Sequence, residues 1–163
     1  MLRNPISLFL IAIVLIAGAA VAWWLASPLW IDNEVNEEIV QVVGDETVRE
    51  GGFVGKGGIY QGAGNAKIIQ RADGALELAF TDFNVTNGPA LKVWLSTHEF
   101  PQADEDVTSG QWVNLGDLKG NIGNQSYIIP EDVDLSLYQS VVIWCQPFGV
   151  LFASAPLDMP VAN

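Results

Sequence analysis

The run Ser140-Val-Val-Ile-Trp-Cys-Gln-Pro-Phe-Gly-Val-Leu-Phe-Ala-Ser154 is apolar on both faces of any strand it can form. Val141, Val142 and Ile143 are β-branched and fit a pleated strand better than a helix. Pro147 cannot donate to a ladder and Gly149 permits a bend, so two strands meet at Gln146–Gly149. Side chains alternate along a strand: Val142 and Trp144 point one way, Val141, Ile143 and Cys145 the other. A strand buried on both sides belongs inside a sandwich or barrel, not at a wet edge.

The preceding residues supply the other strands. Lys67–Arg71 and Leu76–Phe80 flank Asp73-Gly74, a tight-turn signal, with Leu76, Leu78 and Phe80 on one face. Thr81–Pro89 reads as a connecting turn and Ala90–Ser96 as a strand. Gln111–Gly116 and Gln125–Pro130 are further strands, separated by the turn-rich Asp117–Asn124. Asp134 is placed to cap a short helical turn before Ser140. The glycines of Gly51–Gly58 precede a strand rather than a helix, so they read as turns and bulges, not as a phosphate cradle. About eight short strands with closely spaced turns predict an all-β chain, an antiparallel β-sandwich, after one N-terminal helix.

That helix is Ile6–Leu25, which carries no charge. Twenty residues at about 1.5 Å rise span about 30 Å, the thickness of a bilayer core. Trp23, Trp24 and Trp30 sit where indole rings favour the membrane interface. Arg3 precedes the span, while Asp32, Glu34, Glu37 and Glu38 follow it. The charge asymmetry predicts a single-pass anchor with a cytoplasmic N-terminus and an extracytoplasmic domain. Ala20-Val21-Ala22 also has the spacing of a signal-peptide cleavage site, but the apolar run exceeds the usual length for one. The expected division is an anchor at 1–26, an acidic linker at 27–51, a sandwich domain at 52–158 and a tail at 159–163. Within the linker, Ile39, Val40, Val42 and Val43 have the makings of an edge strand or a helical turn. The surrounding acids favour an extended spacer.

All nineteen carboxylates follow Trp30, against six of the seven Lys and Arg, so this part carries a net charge of −13. Such a surface repels phosphate backbones and argues against nucleic acid as a partner. Lipid meets the chain through the N-terminal helix alone. One cysteine excludes an intrachain disulfide, a CxxC pair and a cysteine-based zinc site. With one histidine, His98, and Met159 the only other usual axial ligand in the domain, haem is poorly supplied. Thr97–Gly110 reads as a loop. Its Asp104, Glu105 and Asp106 could offer oxygens to calcium but lack EF-hand spacing, so a solvated acidic loop is expected. No cofactor and no metal are predicted.

Several ordered segments resemble the DM13 family, a module related to DOMON-like β-sandwiches. They are Phe80-Thr-Asp-Phe83, Asn87-Gly-Pro-Ala-Leu-Lys-Val-Trp-Leu95, Leu115–Pro130, Tyr138–Cys145 and Phe148–Leu157. The resemblance covers about Gly52 to Leu157. It implies a role in electron transfer or redox chemistry, with Cys145 as the reactive group and a redox protein as partner. Many family members carry a histidine early in the domain, where this chain has Tyr60.

The residues themselves leave Cys145 with two readings. A redox thiol needs exposure or a nearby positive charge. A cysteine ending an apolar strand is also a small buried hydrophobe, whose pKa burial raises. Phe53, Tyr60, Trp94, Trp112, Tyr127 and Trp144 either line a sugar-binding face or fill the core. A binding or adhesion module with a structural cysteine is therefore the alternative function. Asn84-Val-Thr86 and Asn124-Gln-Ser126 are glycosylation sequons.

Overall fold

The computed structural model describes residues 4–27 and 31–160. Arg3, Pro28 and Trp30, and the end of the tail beyond residue 160, lie outside the described residues. Two units are present, one ending at Ile31 and one beginning at Asp32.

The first unit is helix α1, Pro5–Ala26. Asn4 caps it by accepting a hydrogen bond from the Ile6 N–H at 3.1 Å, and Pro5 takes the first turn, where no backbone donor is missed. None of its side chains is buried. Among the described residues it is the one helix long and apolar enough to cross a membrane.

Among the described residues, the second unit is an antiparallel sandwich of nine strands. These are β1 (Glu46–Gly52), β2 (Val54–Gly55), β3 (Gly62–Gln70), β4 (Leu76–Val85), β5 (Leu91–Ser96), β6 (Trp112–Asp117), β7 (Gln125–Ile129), β8 (Ser140–Cys145) and β9 (Val150–Pro156). One sheet has the order β1-β3-β4-β7 and the other β2-β9-β8-β5-β6. Between them lies a continuous core to which Ile68, Leu78, Phe80, Phe83 and Tyr127 contribute from the first sheet. Leu91, Val93, Leu95, Val141, Ile143, Cys145 and Phe152 contribute from the second. The predicted parity of β8 is observed: Val142 and Trp144 join Trp94, Val107 and Leu151 in a second cluster on the outer side of that sheet. β8 sits third of five strands and every one of its residues is buried.

Three stretches differ from expectation. The acidic segment is not a free spacer, because it supplies β1, whose ladder with β3 runs from Glu46–Gln70 to Gly52–Asn65. Upstream, the Val35 N–H donates to the Ile122 carbonyl and the Glu37 N–H to the Asn124 carbonyl, each at 2.9 Å. Backbone pairing and ion pairs, not an apolar stripe, hold this segment, so composition concealed it. The second difference is at Thr81–Val85, which continues β4 instead of turning. The strand survives because Asp82 takes a left-handed φ of 51° opposite Gly64 at φ 103°, a bulge that bends both strands while Phe83 and Val85 stay buried. The third is within Thr97–Gly110, which holds a short helix, α2 (Asp104–Thr108). The Asp106 carboxylate accepts from the Gln102 and Ala103 N–H groups at 2.9 Å, and Val107 is buried.

Local signals explain the rest. The β3–β4 turn places only Gly74 at positive φ (91°), with the Gly74 N–H donating to the Arg71 carbonyl at 2.8 Å. Asp134 caps a 3-10 turn over Leu135–Leu137, its carboxylate accepting from the Ser136 N–H at 3.0 Å.

Candidate functional site: a buried thiol and a tryptophan column

Cys145 ends β8, paired with Leu91 of β5 and Val150 of β9. The chain then turns: Gly149 adopts φ 62° and its N–H returns to the Cys145 carbonyl at 2.9 Å. Strand parity sends the sulfur into the main core, where Cys145 has no exposed surface. The segment leading into β5 passes over it, and the thiol donates to the Pro89 carbonyl with 3.3 Å between Sγ and oxygen. The next residue, Ala90, holds φ at 50°, in the left-handed region that a side chain disfavours.

Burial pushes the Cys145 thiol above its ordinary pKa, and a hydrogen bond from the Phe148 N–H pulls it back only in part. The cation in register with the preceding residue is Lys92, opposite Trp144. That pair faces away from the core, and the Lys92 ammonium is bound to Asp117. Burial therefore favours the protonated thiol over a poised thiolate.

The six aromatic residues considered for a binding face separate. Phe53 and Tyr127 are core residues, and Tyr60 packs its ring on Phe152 with centroids 4.7 Å apart. Trp94, Trp112 and Trp144 come together on the outer side of the second sheet. Ring centroids are 4.0 Å apart for Trp94–Trp112, with planes 9° from parallel, and 5.3 Å apart for Trp94–Trp144 at 28°. Register makes this contact. Trp144 lies opposite Lys92, two residues before Trp94, and Trp94 lies opposite Asn114, two residues after Trp112. Each step is a diagonal across neighbouring strands, a distance aromatic rings bridge. Trp94 and Trp144 are 4% exposed and Trp112 is 47% exposed. No local pattern marks this column, because its members belong to three strands whose order and offset must be known first.

The remaining candidates are occupied by structural roles. Asp104 pairs with the Lys56 ammonium at 2.6 Å and accepts the Leu151 N–H at 2.7 Å. The His98 Nδ1 accepts from the Phe100 N–H at 3.2 Å and its Nε2 lies 3.8 Å from Asp106, while Met159 is exposed beyond β9. Among the described residues no three His, Cys, Asp or Glu side chains are grouped to hold a metal ion. In the sequons, Asn124 Oδ1 accepts from the Asp82 N–H at 3.0 Å and Thr86 Oγ1 from the Gln61 N–H at 2.8 Å.

A family model described as electron transfer DM13 matches residues 54–157, from β2 to the end of β9. No curated protein and no solved structure matches the chain. The family match takes in the buried thiol, the segment that covers it and all three tryptophans of the column, and on that extent the chain belongs to the electron transfer DM13 family.

Proposed function

We propose that this chain is a membrane-anchored, extracytoplasmic electron-transfer domain in which Cys145 is the redox group and a second redox protein is the partner. The family match carries the electron-transfer reading. The environment of Cys145 narrows the chemistry. A lone, fully buried, protonated thiol is unsuited to thiol–disulfide exchange, which needs an accessible thiolate and a second cysteine. One-electron oxidation to a thiyl radical requires no second cysteine: the partner protein takes the electron, and the thiol proton is released to water as the segment over Cys145 opens locally. The extracytoplasmic placement rests on α1, on Arg3 before it and on the acids Asp32, Glu34, Glu37 and Glu38 after it.

The burial of Cys145 also favours a second reading, a binding module in which the cysteine is a packing residue. Cys145→Ala separates the two. The full-length protein in lipid nanodiscs is flashed with a ruthenium polypyridyl and a cobalt(III) ammine, which generates ruthenium(III), a one-electron oxidant strong enough to convert a thiol to a thiyl radical, and the radical is captured with a nitrone spin trap. Loss of the trapped thiyl signal in the folded variant supports the redox role, whereas a wild type that gives no such signal assigns Cys145 to packing.

A further inference from the structure

Trp94 Nε1 is buried and, among the described residues, is the buried side-chain nitrogen or oxygen atom with no hydrogen-bond partner. An indole nitrogen can only donate, and native structures seldom leave such a group unpaired. It belongs to the middle ring of the column, between a buried ring and a half-exposed one. We propose that the Trp144–Trp94–Trp112 column is the route by which an electron crosses the outer side of the domain, with Trp112 as its surface terminus. The biological role of this route rests on the electron-transfer reading above.

The geometry suits the task. Electron transfer slows steeply as the gap between donor and acceptor widens, and these rings are in direct stacking contact. The inner end, Trp144, is bonded to Cys145 through one peptide link, although the two side chains occupy opposite faces of β8. The outer end lies on β6, the edge strand of its sheet, where a partner's redox centre can approach.

The step balances as follows. A one-electron oxidant, such as a high-potential metal complex, takes an electron from the Trp144 indole and is itself reduced. Trp94 gives an electron to Trp144 and Trp112 gives one to Trp94, so each inner ring returns to its neutral form and the electron vacancy moves outward. Trp94 keeps its Nε1–H bond as the vacancy passes, because no side chain or backbone group among the described residues accepts that proton. It therefore stays a radical cation while oxidised and readily takes the next electron. Trp112 is open to water, which accepts its indole proton and leaves a neutral radical. A partner reductant restores Trp112 with one electron, and water returns the proton.

The test injects the vacancy at the inner end. Phe148 is 60% exposed in the turn beside Trp144, and a Cβ placed on the adjacent Gly149 would lie 3.9 Å from Trp144 Cζ2. Full-length protein in nanodiscs, carrying Cys145→Ala and Phe148→Cys, is labelled at that position with a ruthenium polypyridyl photosensitiser. It is then flashed with a cobalt(III) ammine as irreversible electron acceptor. Transient absorption distinguishes the neutral indolyl radical from its cation, and peptide mass spectrometry locates oxygenated tryptophan. The expected result is a neutral radical and oxygenation at Trp112, both lost in Trp94→Phe. In Trp112→Phe, a surface change that spares the core, oxygenation should move to Trp94 and Trp144. Undiminished oxygenation of Trp112 in a folded Trp94→Phe variant would overturn the proposal. So would an unmodified Trp112 in the parent. The sensitiser replaces the natural partner and Cys145 is absent, so a failed relay leaves the thiyl-radical result for Cys145 standing, and the reverse also holds.

Discussion

The Cys145 sulfur lies 3.3 Å from the Pro89 carbonyl oxygen, fifty-six residues earlier in the chain. That contact closes the segment before β5 over the end of β8 and seals the thiol from solvent. Native Cys145 should therefore react with a maleimide at least about a hundredfold more slowly than the same thiol in guanidinium, since reaction must wait for local opening. Reaction at the free-thiol rate in the native protein would contradict the sealed site.

The thiol also gives stability an alkaline limit. Its folded pKa lies above the unfolded value, so the folded state holds the proton more tightly. The contribution is intact below the unfolded pKa, about 8.5, and is lost as pH rises from there through the folded pKa. Urea midpoints at increasing alkaline pH should fall more steeply for the wild type than for Cys145→Ala. Parallel curves would remove Cys145 as the cause.

At the acid end the sign reverses. The Lys119 ammonium 2.6 Å away holds the Glu37 carboxyl below its usual range, and the Gln102 and Ala103 N–H groups do the same for Asp106. These groups favour the folded state above their unfolded pKa, about 4, and lose that contribution as pH falls through the lower folded values. Glu37→Gln should flatten the acid limb of a thermal-melt profile. An unchanged limb would mean that Glu37 contributes nothing through its charge.

Gly64 opposes the Asp82 kink at φ 103°, and a Cβ there would lie 2.6 Å from both the Asp82 oxygen and the Phe83 Cα. Those are backbone atoms and cannot rotate away. Gly64→Ala should cost about 1–3 kcal/mol in chemical denaturation. A change of a few tenths would show that the bulge relaxes freely.

Ile143 is fully buried in the main core. Ile143→Ala should destabilise the domain by about 2–5 kcal/mol, whereas Val43→Ser, at a fully exposed position, should stay within about 0.5 kcal/mol. Equal effects would mean that the core does not lie between the two sheets.

A chain begun at Gly52 loses β1, the strap over Ile122–Asn124 and the cover on one edge of β3. Compared with a chain begun at Asp32, it should melt lower by on the order of 10 °C, or aggregate through that edge. Equal melting temperatures would return 32–51 to the status of a spacer.

What could be read along the chain was whatever burial writes into local pattern. The two-sided apolar character of Ser140–Ser154 specified a central strand and the parity of β8, which puts Cys145 on one side with Val141 and Ile143, but not which side faces the main core. The uncharged run before Leu25 specified a helix of membrane-spanning length. β1 was hidden because hydrogen bonds and charge pairs hold Glu46–Gly52, and such bonds leave no periodic apolar mark. Asp82 hid the second half of β4, since a bulge interrupts the alternation on which a strand is recognised. Whether the thiol is covered was decided by Pro89, fifty-six residues away. Whether the tryptophans touch was decided by the offsets of β8, β5 and β6. Contacts of that kind depend on strand order and register, which the whole sandwich sets at once and no single stretch contains.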